Sequence, residues 1–283
     1  MTPDLLLGLI GDNIAASRSP FLHVLAGRQN GLRVQYDRLV PPVLGKEFAD
    51  VFAGAAAGGY HGVNVTYPYK EQVVAHVSVP DPLVRAVGAV NTVIFGADGP
   101  TGHNTDYSGF IAAYRGLRGD APVGAVLMIG AGGVGRAVAF GLVALGVRDL
   151  RLVDRDHTKA SALAADLQRA APELAVQVAQ CAETAAAGAQ GVVNCTPVGM
   201  VGYEGTPLAR DALAGAAWVF DAVYTPAETL FLRDARAQGA QVVSGWELFF
   251  WQGVHAWARF SNGLGLDLAQ LRADLLAPAE GVA

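Results

Sequence analysis

Short apolar runs alternate along the chain with longer stretches in which apolar residues recur at helical spacing, the pattern of strands and helices taking turns. Leu5 to Ile10 reads as a buried strand. Ser19-Pro20 then reads as an N-cap followed by a proline at the first helical position, where its missing N–H costs nothing, and a helix to about Asn30 is predicted. Val34 to Val40 is a second strand, Gly45 to Ala57 a helix, and His61 to Val65 a third strand that delivers Asn64 and Thr66 near its carboxyl end. Pro68 stops that strand and launches a short helix with Lys70 in its first turn. Ala89 to Phe95 resumes as a strand that includes Asn91, Ala97-Asp98-Gly99-Pro100 marks a hairpin or loop, and the chain crosses Asn104-Thr105-Asp106 into a helix through Tyr114. The alternation predicts a mostly parallel sheet.

From Ala125 the pattern becomes a strand to Ile129, a glycine turn, a helix through Leu145 and a strand from Asp149 to Val153, one βαβ unit. Further strands are expected near Val176, Gly191 to Asn194, Trp218 to Asp221 and Gln241 to Val243, with helices at Thr158 to Ala170 and Thr229 to Gln238. This half is a doubly wound Rossmann domain. The helices Leu248 to Phe260 and Leu268 to Leu276 have no strand left to accompany and are expected to return to the first half. The fold class is therefore α/β with two domains: residues 1–105, rejoined by 246–283, and residues 106–245.

Composition narrows the picture without changing it. The chain is 52% apolar and 16% charged over 283 residues, long enough for two cores and too apolar for disorder. A formal net charge of -5 leaves no broad basic surface for nucleic acid, so no nucleic-acid partner is expected. The apolar run at Leu5 is too short to span a bilayer and no signal peptide frames it, so no membrane partner is expected either. Cys181 and Cys195 lack metal-ligand spacing and are too few for a disulfide framework. They are read as buried, inert thiols of a cytoplasmic protein, monomer or homodimer, without a metal site.

Chemistry enters through two motifs that each end in a proton-handling group: Asn64-Val65-Thr66-Tyr67-Pro68-Tyr69-Lys70 and Asn104-Thr105-Asp106, with Ala89-Val90-Asn91-Thr92 between them. Singly, Asn64, Thr66 and Asn91 are ordinary turn or strand-end residues, and Lys70 is a surface lysine. Together they place hydroxyl-binding groups around one ammonium and one carboxylate. A lysine in the first turn of a helix opposes the helix dipole and calls for an anion, which Asp106 would provide. That carboxylate favours the lysine cation, the correct acid for protonating a ketone oxygen. Ser17 and Ser19 alternate in Ser17-Arg18-Ser19-Pro20 and could aim two hydroxyls at a small anionic or hydroxylated ligand.

The dinucleotide fingerprint Gly130-Ala131-Gly132-Gly133-Val134-Gly135 follows a strand and opens a helix. Gly130 allows the tight turn, Gly132 lets backbone N–H groups approach a pyrophosphate, and Gly135 permits close packing of the helix. Asp154 ends the next strand, where a carboxylate accepts hydrogen bonds from ribose hydroxyls. A 2′-phosphate would meet Asp154 and Asp156, only partly offset by Arg155 and Lys159, so the charges favour NAD over NADP. Hydride exchange with a polyhydroxylated small molecule is the reaction these motifs suggest.

These motifs resemble the shikimate dehydrogenase family, including its quinate/shikimate branch, over nearly the whole chain. The resemblance rests on Ser17 to Pro20, Asn64 to Lys70, Gly88 to Thr92, Gly102 to Asp106, the glycine turn, Asn194 to Met200, Asp221 to Pro226 and Gly245 to Gln252. It implies that shikimate, or quinate, is oxidised at one ring hydroxyl, forming 3-dehydroshikimate or 3-dehydroquinate, with Lys70 and Asp106 as the catalytic pair. Ser17 and Ser19 would take the carboxylate; Thr66, Asn91, Asp106 and Gln252 would bind ring hydroxyls, Asn64 would belong to the substrate-binding set, and Tyr224 would close the pocket. Thr196, Pro197 and Met200 would line the nicotinamide side, with Val223, Gly245 and Leu248 completing the cofactor set. Trp246-Glu247 departs from the smaller residues usual there, and its negative charge keeps an aminoshikimate-type dehydrogenase as an alternative. A non-catalytic Rossmann-type sensor of shikimate or quinate is the alternative from another class, though it has no need of both Lys70 and Asp106.

Overall fold

The computed structural model describes residues 2–277 and divides into two compact units. The first comprises Met1–Arg85, Ala89–Thr105 and Gly253–Ala283; the second comprises Ala86–Gly88 and Asp106–Gln252. The return to the first unit therefore falls inside a helix at Gly253, beyond the expected residue 246.

The first unit is built from β1 (Leu5–Ile10), α1 (Ser19–Gln29), β2 (Val34–Leu39), α2 (Pro41–Leu44), α3 (Phe48–Ala57), β3 (Gly62–Val65), the start of α4 (Pro82–Val87), β4 (Thr92–Gly96) and β5 (Gly99–His103). Its sheet has the order β2-β1-β3-β4-β5. The β1 strand lies parallel to β2 and β3, while β3-β4 and β4-β5 are antiparallel, so the sheet is mixed. The β4-β5 pair comes from the hairpin at Ala97-Asp98, whose second strand, Gly99-Pro100-Thr101-Gly102-His103, has no apolar pattern to announce it. Residues of β1 alternate between two cores. Leu7 and Leu9 join Ile14, Tyr36, Ala256 and Phe260 on one face, while Ile10 joins Phe48, Phe52, Val63 and Val65 on the other. Each such fully buried aliphatic side chain contributes roughly 1.5–3 kcal/mol.

Four local expectations differ from the structure. The helix expected from Gly45 starts only at Phe48, because Gly45 adopts φ 62 and closes the preceding α2 in the left-handed conformation. Arg18, not Ser19, is the N-cap of α1, with Ser19 and Pro20 in its first turn; Ser17 Oγ accepts the Ser19 N–H at 3.3 Å. Asn91 precedes β4 rather than lying within it. Lys70 is in a turn ahead of a 3-10 helix (Gln72–His76), because the Tyr69 N–H bonds back to Thr66 O at 2.9 Å and turns the chain before any helix begins. A helix dipole therefore does not act on Lys70.

The second unit contains α5 (Thr105–Arg118), β6 (Ala125–Ile129), α6 (Gly133–Ala144), β7 (Asp149–Val153), α7 (His157–Ala170), β8 (Ala175–Val178), α8 (Ala182–Ala185), β9 (Gly191–Asn194), β10 (Trp218–Asp221), α9 (Leu230–Ala237), β11 (Gln241–Val243) and the start of α10 (Gly245–Phe260). Its six strands are all parallel in the order β11-β10-β9-β6-β7-β8, the doubly wound Rossmann topology. The central strands β6, β9 and β10 are buried along almost their whole length, as continuous apolar runs covered on both faces must be. Gly191 faces Trp218 in the strand register, and any Cβ there would run into the indole. The Trp218 indole N–H is satisfied by Val123 O at 2.9 Å. The last helix among the described residues, α11 (Leu268–Leu276), packs on α1, where the Arg18 guanidinium donates to Leu275 O.

Among the described residues no helix is long and apolar enough to cross a membrane, and no group of three or more His, Cys, Asp or Glu side chains could hold a metal ion. Cys181 is exposed, not buried: it stands at the start of α8, where its thiol donates to Glu183 Oε2 at 3.1 Å.

Candidate active site

In the first unit, the residues expected to bind the substrate collect where β1 and β3 end. Gly11, just after β1, is glycine because a Cβ there would run into the Thr66 methyl. The Thr66 N–H bonds to Ile10 O at 2.9 Å, which fixes the threonine beside the end of β1. The backbone carbonyl of Lys70 accepts the Val90 N–H at 2.8 Å, so the lysine's turn is tied directly to the segment carrying Asn91. Ser17 and Ser19 hydroxyls lie 3.3 Å apart at the start of α1. Ser17, Thr66, Lys70 and Asn91 thus stand on loops leading out of the sheet and Ser19 on the first turn of α1, whereas Asn64 is within the sheet.

Asn64 is buried, and its amide is fully engaged inside the unit. Oδ1 accepts the Tyr36 hydroxyl at 2.7 Å, and Nδ2 donates to Asn91 O at 3.1 Å and to Thr92 Oγ1 at 3.0 Å. Both amide hydrogens are in use, which leaves none for a ligand. Asn91 is different. Its Oδ1 accepts the Thr105 N–H at 2.7 Å and its Nδ2 gives one hydrogen to Thr105 Oγ1 at 3.0 Å.

In the second unit, Asp106 lies in the first turn of α5, where the helix dipole favours a carboxylate. Gly109, one turn later, allows α5 to approach α10 so closely that a Cβ would stand 2.8 Å from the Gln252 backbone nitrogen. Asp106 and Gln252 therefore sit on two contacting helices. Gln252 donates its amide to Phe249 O at 2.9 Å, and the Tyr224 ring stacks on Phe249 with centroids 5.4 Å apart. Burial raises the Tyr224 hydroxyl above its usual range.

The glycine turn has the geometry a pyrophosphate requires. Gly130 adopts φ 102, and a Cβ there would stand 2.7 Å from the Cys195 carbonyl carbon; a Cβ on Gly135 would run into Gly130 O. Gly132 caps α6 with nothing within 4 Å of its Cβ position, so the chain is open beside the helix start, where the N-terminal N–H groups favour an anion. Ala131, Gly133 and Val134 complete the turn. Asp154 follows β7 and braces the same turn: Oδ2 accepts the Ala131 N–H at 2.6 Å and Oδ1 accepts the Asp156 N–H at 2.8 Å. Asp156 is the N-cap of α7, accepting from Thr158 and Lys159. Arg155 and Lys159 are exposed beside it. These donors, the open helix start and the carboxylate fit a dinucleotide.

Thr196, Pro197 and Met200 lie on the loop after β9, which Asn194 holds in shape. Asn194 Oδ1 accepts the Thr196 N–H and hydroxyl at 3.0 and 2.7 Å, while Nδ2 donates to Val198 O and to Asp221 Oδ1. Asp221 is fully buried and raised by desolvation, partly offset by Thr229, Val223 and Asn194, which all donate to it. Sequence reasoning missed this residue; the motif that contains it is visible, but its role depends on strands adjacent only in the fold. Cys195 is pushed upward by burial and by the carboxylates of Asp221 and Asp106, so its thiol stays neutral. Asp106 therefore lies within electrostatic reach of the residue that backs the glycine turn. Val223 and Leu248 are buried, and Gly245 lacks a Cβ because Val223 O occupies that space, so these three pack the unit as much as they line it.

The family model for the shikimate dehydrogenase substrate binding domain matches residues 9–93. A quinate/shikimate dehydrogenase (NAD(+)) of Corynebacterium efficiens is 39% identical over 279 residues, covering 96% of this chain and 98% of that protein. The chain belongs to the shikimate dehydrogenase family. A shikimate dehydrogenase (NADP(+)) of an Arthrobacter species is also 39% identical, over 276 residues, covering 96% and 94% of the two chains. Among solved structures, the quinate dehydrogenase from Corynebacterium glutamicum in complex with NAD matches with a TM-score of 0.89 at 37% identity, covering 96% of this chain and 98% of that one. The chain is an NAD(P)-dependent oxidoreductase of this family, acting on a CH–OH donor.

Proposed function

We propose that this chain interconverts shikimate and 3-dehydroshikimate with NAD as the preferred cofactor, quinate being a second substrate, and that Lys70 and Asp106 handle the proton at the reacting oxygen. The first unit serves as the substrate half and the second as the dinucleotide half. The observation that carries the assignment of Lys70 is the 2.8 Å bond between Val90 N–H and Lys70 O, which puts the lysine on the same rim as Asn91 and Thr66. Ser17 and Ser19 hold the substrate carboxylate, Thr66, Asn91 and Gln252 hold ring hydroxyls, and Tyr224 covers the ring.

When bound, the nicotinamide supplies the hydride acceptor for oxidation or the donor for reduction. In the reducing direction the Lys70 ammonium gives its proton to the carbonyl oxygen as that oxygen gains charge, and Asp106 stabilises and orients the ammonium. In the oxidising direction neutral Lys70 takes the hydroxyl proton. Tyr224 and the apolar Phe249 beside it exclude water from the reacting carbon. The preference for NAD follows from Asp154 and Asp156: a 2′-phosphate would add about two negative charges beside two carboxylates.

Purified protein assayed with shikimate and quinate, each against NAD and NADP, tests the substrate and cofactor together. Turnover is expected with NAD, higher for shikimate; no nicotinamide reduction with any pair would overturn the reading. Lys70→Ala is expected to lose kcat with little change in ligand affinity, because the lysine acts on the oxygen whose charge changes. Equal losses in both quantities would refute the acid/base role.

A further inference from the structure

Resting on the reading above, we propose that Tyr36 and Asn64 are positioning residues for the reaction, acting on substrate and proton transfer through Asn91 and Thr105. Tyr36, Asn64, Asn91, Thr92 and Thr105 are all buried, and their polar groups form one continuous network across the first sheet. Tyr36 lies on β2 and reaches across β1 to Asn64 on β3, which faces Thr92 on β4 in the strand register.

The orientation of the Asn64 amide is fixed from both ends. The Tyr36 hydroxyl, its ring stacked on the His23 imidazole at 5.1 Å, donates to Oδ1. A flipped amide would set its oxygen against the Asn91 main-chain carbonyl, which can only accept, and burial makes that costly. In the observed orientation Nδ2 holds the Asn91 main-chain carbonyl and the Thr92 hydroxyl.

Asn91 inherits that order. Thr92 Oγ1 donates to Asn91 Oδ1 at 3.1 Å, and the same oxygen takes the Thr105 N–H and hydroxyl at 2.7 and 3.1 Å. One Nδ2 hydrogen goes to Thr105, so the second is directed to a substrate hydroxyl in the proposed reaction. The Thr105 N–H belongs to the opening of α5, and Asp106 is the next residue. One buried amide therefore governs the Asn91 donor and the residue preceding Asp106. Asn64, expected among the substrate-binding residues, is one step removed from the substrate.

The test compares wild type with Tyr36→Phe and Asn64→Asp. Tyr36→Phe deletes one donor without changing shape. It is expected to lower kcat/KM for shikimate about tenfold, the effect of losing one buried hydrogen bond, with the NADH dissociation constant of the free enzyme unchanged. Asn64→Asp keeps the acceptor toward Tyr36 but sets oxygen against the Asn91 carbonyl. Its activity should fall further and recover relative to wild type as pH drops, because the protonated carboxyl can again donate. A Tyr36→Phe enzyme within twofold of wild type, a parallel loss of NADH affinity, or an Asn64→Asp pH profile that follows wild type would each overturn the proposal. If wild type itself turns over neither shikimate nor quinate, it is the functional reading that fails.

Discussion

Acid should weaken this protein through His23, and the amount can be worked from its surroundings. The imidazole is 1% exposed, stacked on Tyr36, tilted against Trp257 and edge-on to Phe260. Burial pushes it down from 6.5 to about 3, and the hydrogen bond to Asn64 offsets only part of that. Above pH 6.5 the residue is neutral folded or unfolded and has no pH effect. Below it, the unfolded chain takes up a proton that the folded chain refuses, so stability falls by about 1.4 kcal/mol per pH unit until the folded value is reached. Between pH 7.5 and 4.5 the loss from this one residue is about 2.7 kcal/mol. Urea unfolding of wild type and His23→Phe at both pH values isolates it, since every other acid-labile group is common to the two proteins. The absolute stability of the variant will shift with packing, but the quantity read is its pH dependence. For a slope of about 3 kcal/mol per molar urea, the wild-type midpoint should fall about 0.9 M more than the variant's. Equal acid losses in the two proteins would refute the reasoning.

The remaining predictions concern the second unit. Gly135→Ala places a methyl against Gly130 O, which is backbone and cannot rotate away; a loss of about 1–3 kcal/mol in thermal unfolding and at least about tenfold weaker NADH binding by fluorescence are expected. The pair Asp154→Asn and Asp156→Thr removes two charges while keeping a residue at position 156 that can cap α7, and should swing the NAD:NADP ratio of kcat/KM toward NADP by about tenfold or more, measured by steady-state kinetics. One thiol per folded chain should react with a disulfide reagent at pH 8, namely exposed Cys181, because Cys195 is held neutral by burial and two carboxylates; two fast-reacting thiols would contradict that placement.

Much of the second unit was legible because its parallel strands are buried on both faces and read as unbroken apolar runs: Ala125–Ile129, Gly191–Asn194 and Trp218–Asp221 occur where expected. The glycine turn was legible because strand, turn and helix occur in the only order that makes the fingerprint useful. In the first unit the signal weakens wherever structure comes from hydrogen bonds rather than burial. The edge strand Gly99–His103 carries two glycines and a proline, a composition that an edge tolerates but that has no period. Gly45 could begin or end a helix by residue type alone, and only its φ of 62 shows that it ends one.

The site divides along the same physical line. Residue types disclose which chemistry is present, so Lys70, Asp106 and the glycines were visible as motifs. Sequence does not disclose where each hydrogen goes. Asn64 and Asn91 are both asparagines beside Thr or Val in similar motifs, yet one uses both amide hydrogens within the sheet and the other uses one on Thr105. That difference depends on Tyr36, two strands from Asn64 across β1, and on Thr92, opposite Asn64 on β4, and the proposed positioning role of one asparagine and ligand role of the other rest on it. A buried amide flanked by a donor on one side and acceptors on the other has a single allowed orientation, so in the proposed arrangement the precision of the Asn91 donor is set three strands away, at a β2 tyrosine no catalytic motif would select.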